Sequence, residues 1–370
     1  MAGSPTPPSV GIGIVGCGRA AGSLHLPALT RVRGATVTAL SDVVPERLAR
    51  LASRCPGASA YPDYRAMLDD ERVDLVAVCV PVTRHAEIAA AALQAGKHLF
   101  VEKPLALELE ECDRLVELAR QAEASGQRAI VGFNLRSHRL VRRARTVIRS
   151  GELGEIELVR TLWTADWTGS TRPDWHASRA QGGGALLEIG THQADLWRWL
   201  LDSEVEAIHA DTRSSAFDDQ SATLQVRMAG GVLVTGAVSQ RSVSNNVIEV
   251  LGSRGGLSFS CYHGDSLSVA AAGTPRTGPT RRLRPLLAKA AQLPGAFQAA
   301  RGGGDFRMSY VREWESVVEA ITGDGAPRAT LHDGRQAAAV LQAALRSAKE
   351  GRAVAPVPPP APSRMDATVA

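Results

Sequence analysis

The chain has 370 residues, 44% of them hydrophobic and 22% charged, which is the composition of a soluble globular protein and excludes disorder for the bulk of it. Its 42 basic and 38 acidic residues leave a net charge of +4, spread along the sequence rather than gathered in an arm, so there is no electrostatic case for nucleic acid. No window is apolar enough to span a membrane, and the opening MAGSPTPPSV lacks the basic start and apolar run of a signal peptide, so a cytoplasmic protein is expected. The length exceeds what one hydrophobic core usually serves, which predicts two domains sharing a cleft.

The first third alternates short apolar runs with helical patterns, as βαβ units around a parallel sheet do. Strands are predicted at Val10 to Val15, Ala35 to Leu40, Leu75 to Val80, His98 to Val101 and Ala129 to Phe133. Helices are predicted at Arg19 to Arg31, Pro45 to Arg54, Arg84 to Ala95 and Glu108 to Ser125. The continuously apolar DLVAVCV suits a strand buried on both faces.

After Phe133 the pattern changes. A helix (Ser137 to Ser150) stops at Gly151, a strand (Ile156 to Trp163) follows, and a Trp-rich loop leads through three glycines into a helix, Ala185 to Leu201. Five strands come next: Val205 to Thr212, Ser221 to Met228, Val232 to Ser239, Val247 to Leu251 and Leu257 to Ser260, with Ala229-Gly230-Gly231 as a hairpin turn. This predicts an α+β domain on a largely antiparallel sheet. Residues 266–304 hold Arg276, Arg281, Arg282, Arg284, Lys289 and Arg301 without an acidic residue, which fits either a solvated insertion or an anion site. Helices at Tyr310 to Thr322 and Leu331 to Lys349 close the fold, the second capped by Thr330. The division is then 1–133 for the first domain, 134–353 for the second, and a proline-rich, disordered tail over 354–370.

The five cysteines, Cys17, Cys55, Cys79, Cys112 and Cys261, are odd in number and have no ligand spacing, so neither a disulfide framework nor a metal site is expected. GIGIVGCGRAAG places Gly16, Gly18 and Ala21 between a strand and a helix. Gly16 allows the tight turn, Gly18 lets backbone approach a pyrophosphate, and Ala21 keeps helix and strand close, with Arg19 and Ala20 opening the helix whose N-terminus faces the phosphates. Asp42 ends the second strand, where a carboxylate can bond both hydroxyls of an adenosine ribose. That favours NAD over NADP, although Arg47 leaves NADP open. The plainer reading of Asp42 is a helix cap.

AGKHLFVEKPLA, with Glu102-Lys103-Pro104, joins GCGRAA, PVTRHAEIA and GGGALLEIGTHQADLWRWL in a combination that closely resembles the glucose-fructose oxidoreductase and inositol dehydrogenase (Gfo/Idh/MocA) family. The resemblance runs from about Gly11 to Val354. It implies an N-terminal Rossmann domain and a C-terminal sheet domain covering the nicotinamide. It also implies that Lys103 reaches the reacting centre, that Pro104, often cis, aims it, and that Glu102 holds the backbone near the nicotinamide. Pro81 and His85 would lie near the nicotinamide ribose, and His25 matches a frequent family histidine.

Glu188 and His192 stand where the family carries an acidic residue, three residues, then histidine; the family more often has Asp at the first position. Their i, i+4 spacing puts both on one helical face. The resemblance implies His192 as general base or acid, Lys103 as the group that stabilises alkoxide charge, and Glu188 as a partner of Lys103 or of substrate. Asp195 fits either an imidazole-orienting role or an ion pair. Positions the family uses for substrate hold Asn134, Arg136, Trp163, Trp175 and His176, with Trp167 and Arg172 in the same loop. Three of the six tryptophans lie within thirteen residues, as in a carbohydrate pocket or a packed interdomain segment.

The expected protein is an NAD(P)-dependent oxidoreductase moving hydride between nicotinamide and a secondary alcohol or ketone of a sugar, cyclitol or nucleotide-linked sugar, in a homodimer or homotetramer. The alternatives are a redox-neutral, NAD-recycling epimerase or glycosidase, and a non-catalytic dinucleotide sensor.

Overall fold

The computed structural model describes residues 9–168, 174–262, 266–271, 292–323 and 325–360. Arg172 and the basic residues 276–289 lie outside them.

Six strands, β1 (Val10–Val15), β2 (Ala35–Ser41), β3 (Ser59–Tyr61), β4 (Leu75–Val78), β5 (His98–Glu102) and β6 (Ala129–Gly132), form a parallel sheet in the order β3-β2-β1-β4-β5-β6. Its centre is dry: every residue of β1 and β4 is buried, as a parallel sheet covered on both faces requires. The order reverses at β1 and β4, so the crevice for a ligand opens at their carboxyl ends. Helices α1 (Leu26–Leu29), α2 (Pro45–Ala52), α3 (Tyr64–Leu68), α4 (His85–Gln94) and α5 (Leu109–Ala124) cover this sheet. The predicted helix from Arg19 is present, but its Ala21–His25 turn is a π-helix, a widening often found at functional sites. Strand β3 was not expected; it is three half-exposed residues on the sheet edge, too short to show alternation.

The second sheet has the order β13-β12-β11-β7-β10-β9-β8, from β7 (Ile156–Asp166), β8 (Val205–Arg213), β9 (Ser221–Met228), β10 (Leu233–Ser239), β11 (Arg241–Gly252), β12 (Gly255–Phe259) and β13 (Ser268–Ala271). It is antiparallel except for β7 against β10, in register Val159 with Val234. The β9–β10 turn is the predicted hairpin, with Gly230 and Gly231 both near φ +92°, a conformation glycine adopts freely. Strand β13 puts part of the basic stretch into the sheet. Helices α6 (Arg139–Arg149) and α7 (Thr191–Leu201) pack on each other, and α7 lies against the sheet through the fully buried Trp197.

Helix α8 (Leu293–Arg301) follows, and α9 (Asp305–Thr322) then returns to the first domain. There Trp314 packs 4.5 Å from Phe100 of β5, in a core with Ile12, Ile14 and Leu29. The two sheets thus come from segments divided near residue 133, while α9 belongs by packing to the first. Helix α10 (Leu331–Glu350) begins with the predicted cap: Thr330 and Asp333 satisfy each other's backbone N–H groups.

The tail is ordered at its start, against expectation. Val354 bridges to Ile208, and the buried Arg335 donates to the carbonyls of Val357 and Pro358, so residues 354–358 are tied to α10 and β8. Residues 361–370 lie outside the described residues.

Candidate active site

At the carboxyl end of β1, Gly16 has φ +95°, and a Cβ there would stand 2.6 Å from the carbonyl oxygen of Cys79. Only glycine makes that turn. At Gly18 a Cβ would meet nothing within 4 Å, so the space over this backbone is open to a ligand. Ala21 is fully buried against the strand, Ala20 is half-buried and Arg19 is exposed. A narrow turn, an uncovered glycine and a helix start are what a dinucleotide pyrophosphate requires, so the residues present fit one.

Asp42 is buried at the end of β2; its Oδ2 accepts from the Cys17 N–H at 2.7 Å and its Oδ1 from the Val44 N–H at 2.8 Å. The carboxylate therefore ties the glycine loop to β2. It keeps lone pairs for two further donors, the number an adenosine ribose edge presents. Arg47 is exposed on the first turn of α2, close after Asp42. All five cysteines are buried, and burial pushes the Cys17 thiol up to about 12, which makes it packing rather than a nucleophile.

The Lys103–Pro104 bond is cis, as expected, and turns the chain at the carboxyl edge of β5. Glu102 grips this turn. Its Oε2 accepts from the Lys103 N–H at 3.0 Å, and its Oε1 is bonded to His25 Nε2 at 2.8 Å. Trp314 donates its indole N–H to His25 Nδ1, so that nitrogen is the acceptor and Nε2 carries the proton donated to Glu102. His25, fully buried, thereby connects α9 to the lysine turn.

From this turn Lys103 Nζ donates to the backbone carbonyl of Glu188 at 3.0 Å. Glu188 lies in a π-helical turn, Leu186–Gly190, that opens into α7, and the three glycines before it are needed there. A Cβ at Gly182 would stand 2.0 Å from Val82 of the first domain, and one at Gly183 would strike the carbonyl of His176. His192 follows in the first turn of α7. Its ring stacks on Trp163 of β7 at 5.3 Å, and its Nδ1 is buried without a hydrogen-bond partner. Burial, with the Lys103 charge adding to it, holds this imidazole well below its ordinary pKa, so it is unprotonated at neutral pH.

The Glu188 carboxylate is engaged by His176, whose Nδ1 donates to Oε1 at 2.7 Å, and by the amide of Gln240 at 3.2 Å. His176 stacks on Trp175 at 3.6 Å, with Trp167 edge-on at 6.3 Å. Lys103, Glu188, His192, Trp163, Trp175 and His176 thus come together where the two sheets meet. Gln240, fully buried, gave no signal in the sequence; it lies between β10 and β11 in the polar run Ser239-Gln240-Arg241-Ser242.

Three expected residues are elsewhere. Asn134 is buried and donates to Ser309 of α9, so it joins domains rather than facing substrate. Arg136, also buried, holds Asp195 through a bidentate contact at 2.5 to 3.1 Å, with Asp333 at 2.9 Å and the Arg328 carbonyl at 2.7 Å. Its donors are spent on an ion-pair network, which also settles Asp195 as an ion-pair residue. His85 has Nδ1 at the Pro104 carbonyl and Nε2 at the Val80 carbonyl, both 2.9 Å, so it clamps the cis turn to β4 and offers no nitrogen to a cofactor. Pro81 is exposed beside it. Among the described residues no group of His, Cys, Asp and Glu has the arrangement of a metal site, and no helix is long and apolar enough to cross a membrane.

Residues 10–133 match the model of an oxidoreductase family with an NAD-binding Rossmann fold, and residues 141–258 match a C-terminal domain of the same family. The chain is 27% identical to a myo-inositol 2-dehydrogenase of Thermotoga maritima over 354 residues, covering 93% of this chain and 97% of that protein. Two solved structures share the fold at 23% identity. One is levoglucosan dehydrogenase with NADH and levoglucosan, at TM-score 0.81 over 95% of this chain and all of that one. The other is the WlbA dehydrogenase of Bordetella pertussis with NADH and UDP-GlcNAcA, at TM-score 0.79 over 95% of this chain and 99% of that one. With the glycine cradle, the lysine turn and the glutamate–histidine helix in place, the chain belongs to the GFO/IDH/MocA oxidoreductases, NAD-binding enzymes built on a Rossmann domain.

Proposed function

We propose that this enzyme oxidises a secondary alcohol of a sugar or cyclitol, or reduces the matching ketone, with Lys103 and His192 acting on the reacting oxygen. The observation that carries this is the pairing of a lysine fixed on the cis turn with a buried, neutral histidine across the domain junction. In the oxidative direction the His192 imidazole takes the hydroxyl proton, and the Lys103 ammonium stabilises the negative charge growing on that oxygen. In reduction the protonated His192 returns that proton while the Lys103 ammonium polarises the carbonyl oxygen. NAD would be held by Gly16, Gly18, Arg19, Ala20 and Asp42, with Pro81, Glu102 and Lys103 at the same sheet edge, and when bound would supply or accept the hydride.

Trp163, Trp175 and His176 form the substrate wall, with aromatic faces for a ring and His176 for a neighbouring hydroxyl. The names of the relatives, inositol and levoglucosan dehydrogenases and an enzyme seen with a UDP-sugar, support a polyhydroxylated ring. Exposed Leu233, Val243 and Leu251 on β10 and β11 support pairing of the second sheet in a homodimer or homotetramer.

The test is absorbance of the reduced nicotinamide while the purified protein meets NAD or NADP and a panel of sugars, cyclitols and their keto forms. A signal with a ring polyol and NAD is the expected result. A flat trace across the panel, with NAD retained by the protein, would overturn net redox turnover and favour chemistry that recycles the cofactor.

A further inference from the structure

Away from the active site, one face of α6 is a row of arginines. Arg139, Arg142, Arg143, Arg145 and Arg149, with Arg312 of α9 and the indole of Trp199 on α7, line a groove of about 390 Å³. The opposite face of α6, Leu140, Val141 and Ala144, is buried, so the helix is anchored and its basic face is fixed outward.

The carboxylates available to this groove do not match its cations. Asp305 is held in a fork by Arg139 at 2.6 to 3.1 Å and stands 3.6 Å from Arg312. Asp202 pairs with both Arg145 and Arg149, and Glu315 acts on Arg312 at longer range. Arg142 and Arg143 have no carboxylate partner among the described residues. Arg145 lies over the Trp199 ring at 4.3 Å, and among the described residues its buried Nε has no acceptor, while the buried Nη1 of Arg312 faces Asp305 at 3.6 Å. A buried guanidinium donor without an acceptor, such as Arg145 Nε, costs more than an exposed one, and a solvated basic helix face has no reason to create it. Burial and neighbouring guanidinium groups also hold Arg145 below its ordinary basicity.

We propose that this groove is a second ligand site, for a small soluble polyanion bearing phosphate groups. Phosphate oxygens would accept from the exposed Arg142 and Arg143, which have no carboxylate partner among the described residues and whose forked contacts suit phosphate geometry. The flat Trp199–Arg145 stack forms one wall. The site is separate from the glycine cradle, which lies at the far end of β1 in the other domain.

The test uses the full chain saturated with NAD, so that the cradle is filled, and titrates inorganic pyrophosphate by calorimetry at two salt concentrations. Binding that weakens with salt is expected. The variant Arg142→Ala/Arg143→Ala should lose about tenfold or more in affinity while turnover stays normal, which shows the fold intact. Arg142→Lys/Arg143→Lys, keeping charge without the fork, should fall between. No heat with the parent protein, or equal affinity in the alanine variant, overturns the proposal. A short DNA duplex that binds through the same arginines more tightly than pyrophosphate would overturn it in favour of nucleic acid.

Discussion

His176 Nδ1 donates to Glu188 Oε1 at 2.7 Å, while the Nδ1 of His192, one helical turn beyond Glu188, is buried with no partner. The two histidines of the site are thus in different states. One is held by a carboxylate; the other is kept neutral by burial and by Lys103. His192→Ala should therefore lower kcat by about a hundredfold or more while NAD affinity is retained, since the lost group is the proposed proton acceptor. Normal turnover in the variant removes His192 from the chemistry.

Glu188 spans to His176 because it is one methylene longer than the aspartate commoner in the family. Glu188→Asp keeps the charge but withdraws the carboxylate by about 1.5 Å. The His176 and Gln240 contacts should both break. Substrate KM should rise about tenfold with a smaller change in kcat if His176 has the proposed role of positioning substrate rather than moving the proton. Equal losses in kcat and kcat/KM would place His176 in the chemical step.

Asp42 ties the glycine loop to β2 and is the proposed partner of the cofactor's ribose. Asp42→Ala leaves the Cys17 and Val44 N–H groups without their acceptor, so NAD should bind at least about tenfold more weakly and its advantage over NADP should shrink. Cofactor titrations of the two proteins decide this. An unchanged preference would leave Asp42 as a structural tie alone.

The glycine cradle was legible in the sequence because it is a local pattern in which a few adjacent residues fix both backbone and chemistry, whereas the cis turn and the part of His192 were reached only through the family resemblance. Arg136 and Asn134 were misread as substrate residues for the opposite reason. Their partners, Asp195 and Ser309, are 59 and 175 residues away, and no spacing connects them. The return of α9 to the first sheet was equally hidden, since an amphipathic helix does not encode which sheet it will cover. The second sheet was read strand by strand from alternation, but the parallel β7–β10 pair was not, because alternation specifies faces and not neighbours.

Arg136 supplies a direct check of its reassignment. Arg136→Met should destabilise the protein by about 3 to 5 kcal/mol, because Asp195 is left buried with its charge uncompensated. Chemical unfolding measures this. Substrate KM should stay within about twofold. Unchanged stability with a raised KM would return Arg136 to the substrate site.

His138 begins α6, where its Nδ1 accepts from the Leu140 N–H, and burial holds its pKa down to about 4 from the ordinary 6.5. Arg312 and Arg139 push it the same way, while Asp305 opposes them. Below pH 6.5 the unfolded chain takes a proton here that the folded protein refuses, so this residue's contribution to stability falls as the pH drops from 6.5 to about 4 and is level below that. The full loss is about 3 kcal/mol. His138→Asn keeps a capping acceptor and cannot titrate, so its unfolding free energy should decline less steeply than the parent's across that window. Parallel pH curves for the two proteins would show that His138 is protonated in the folded state.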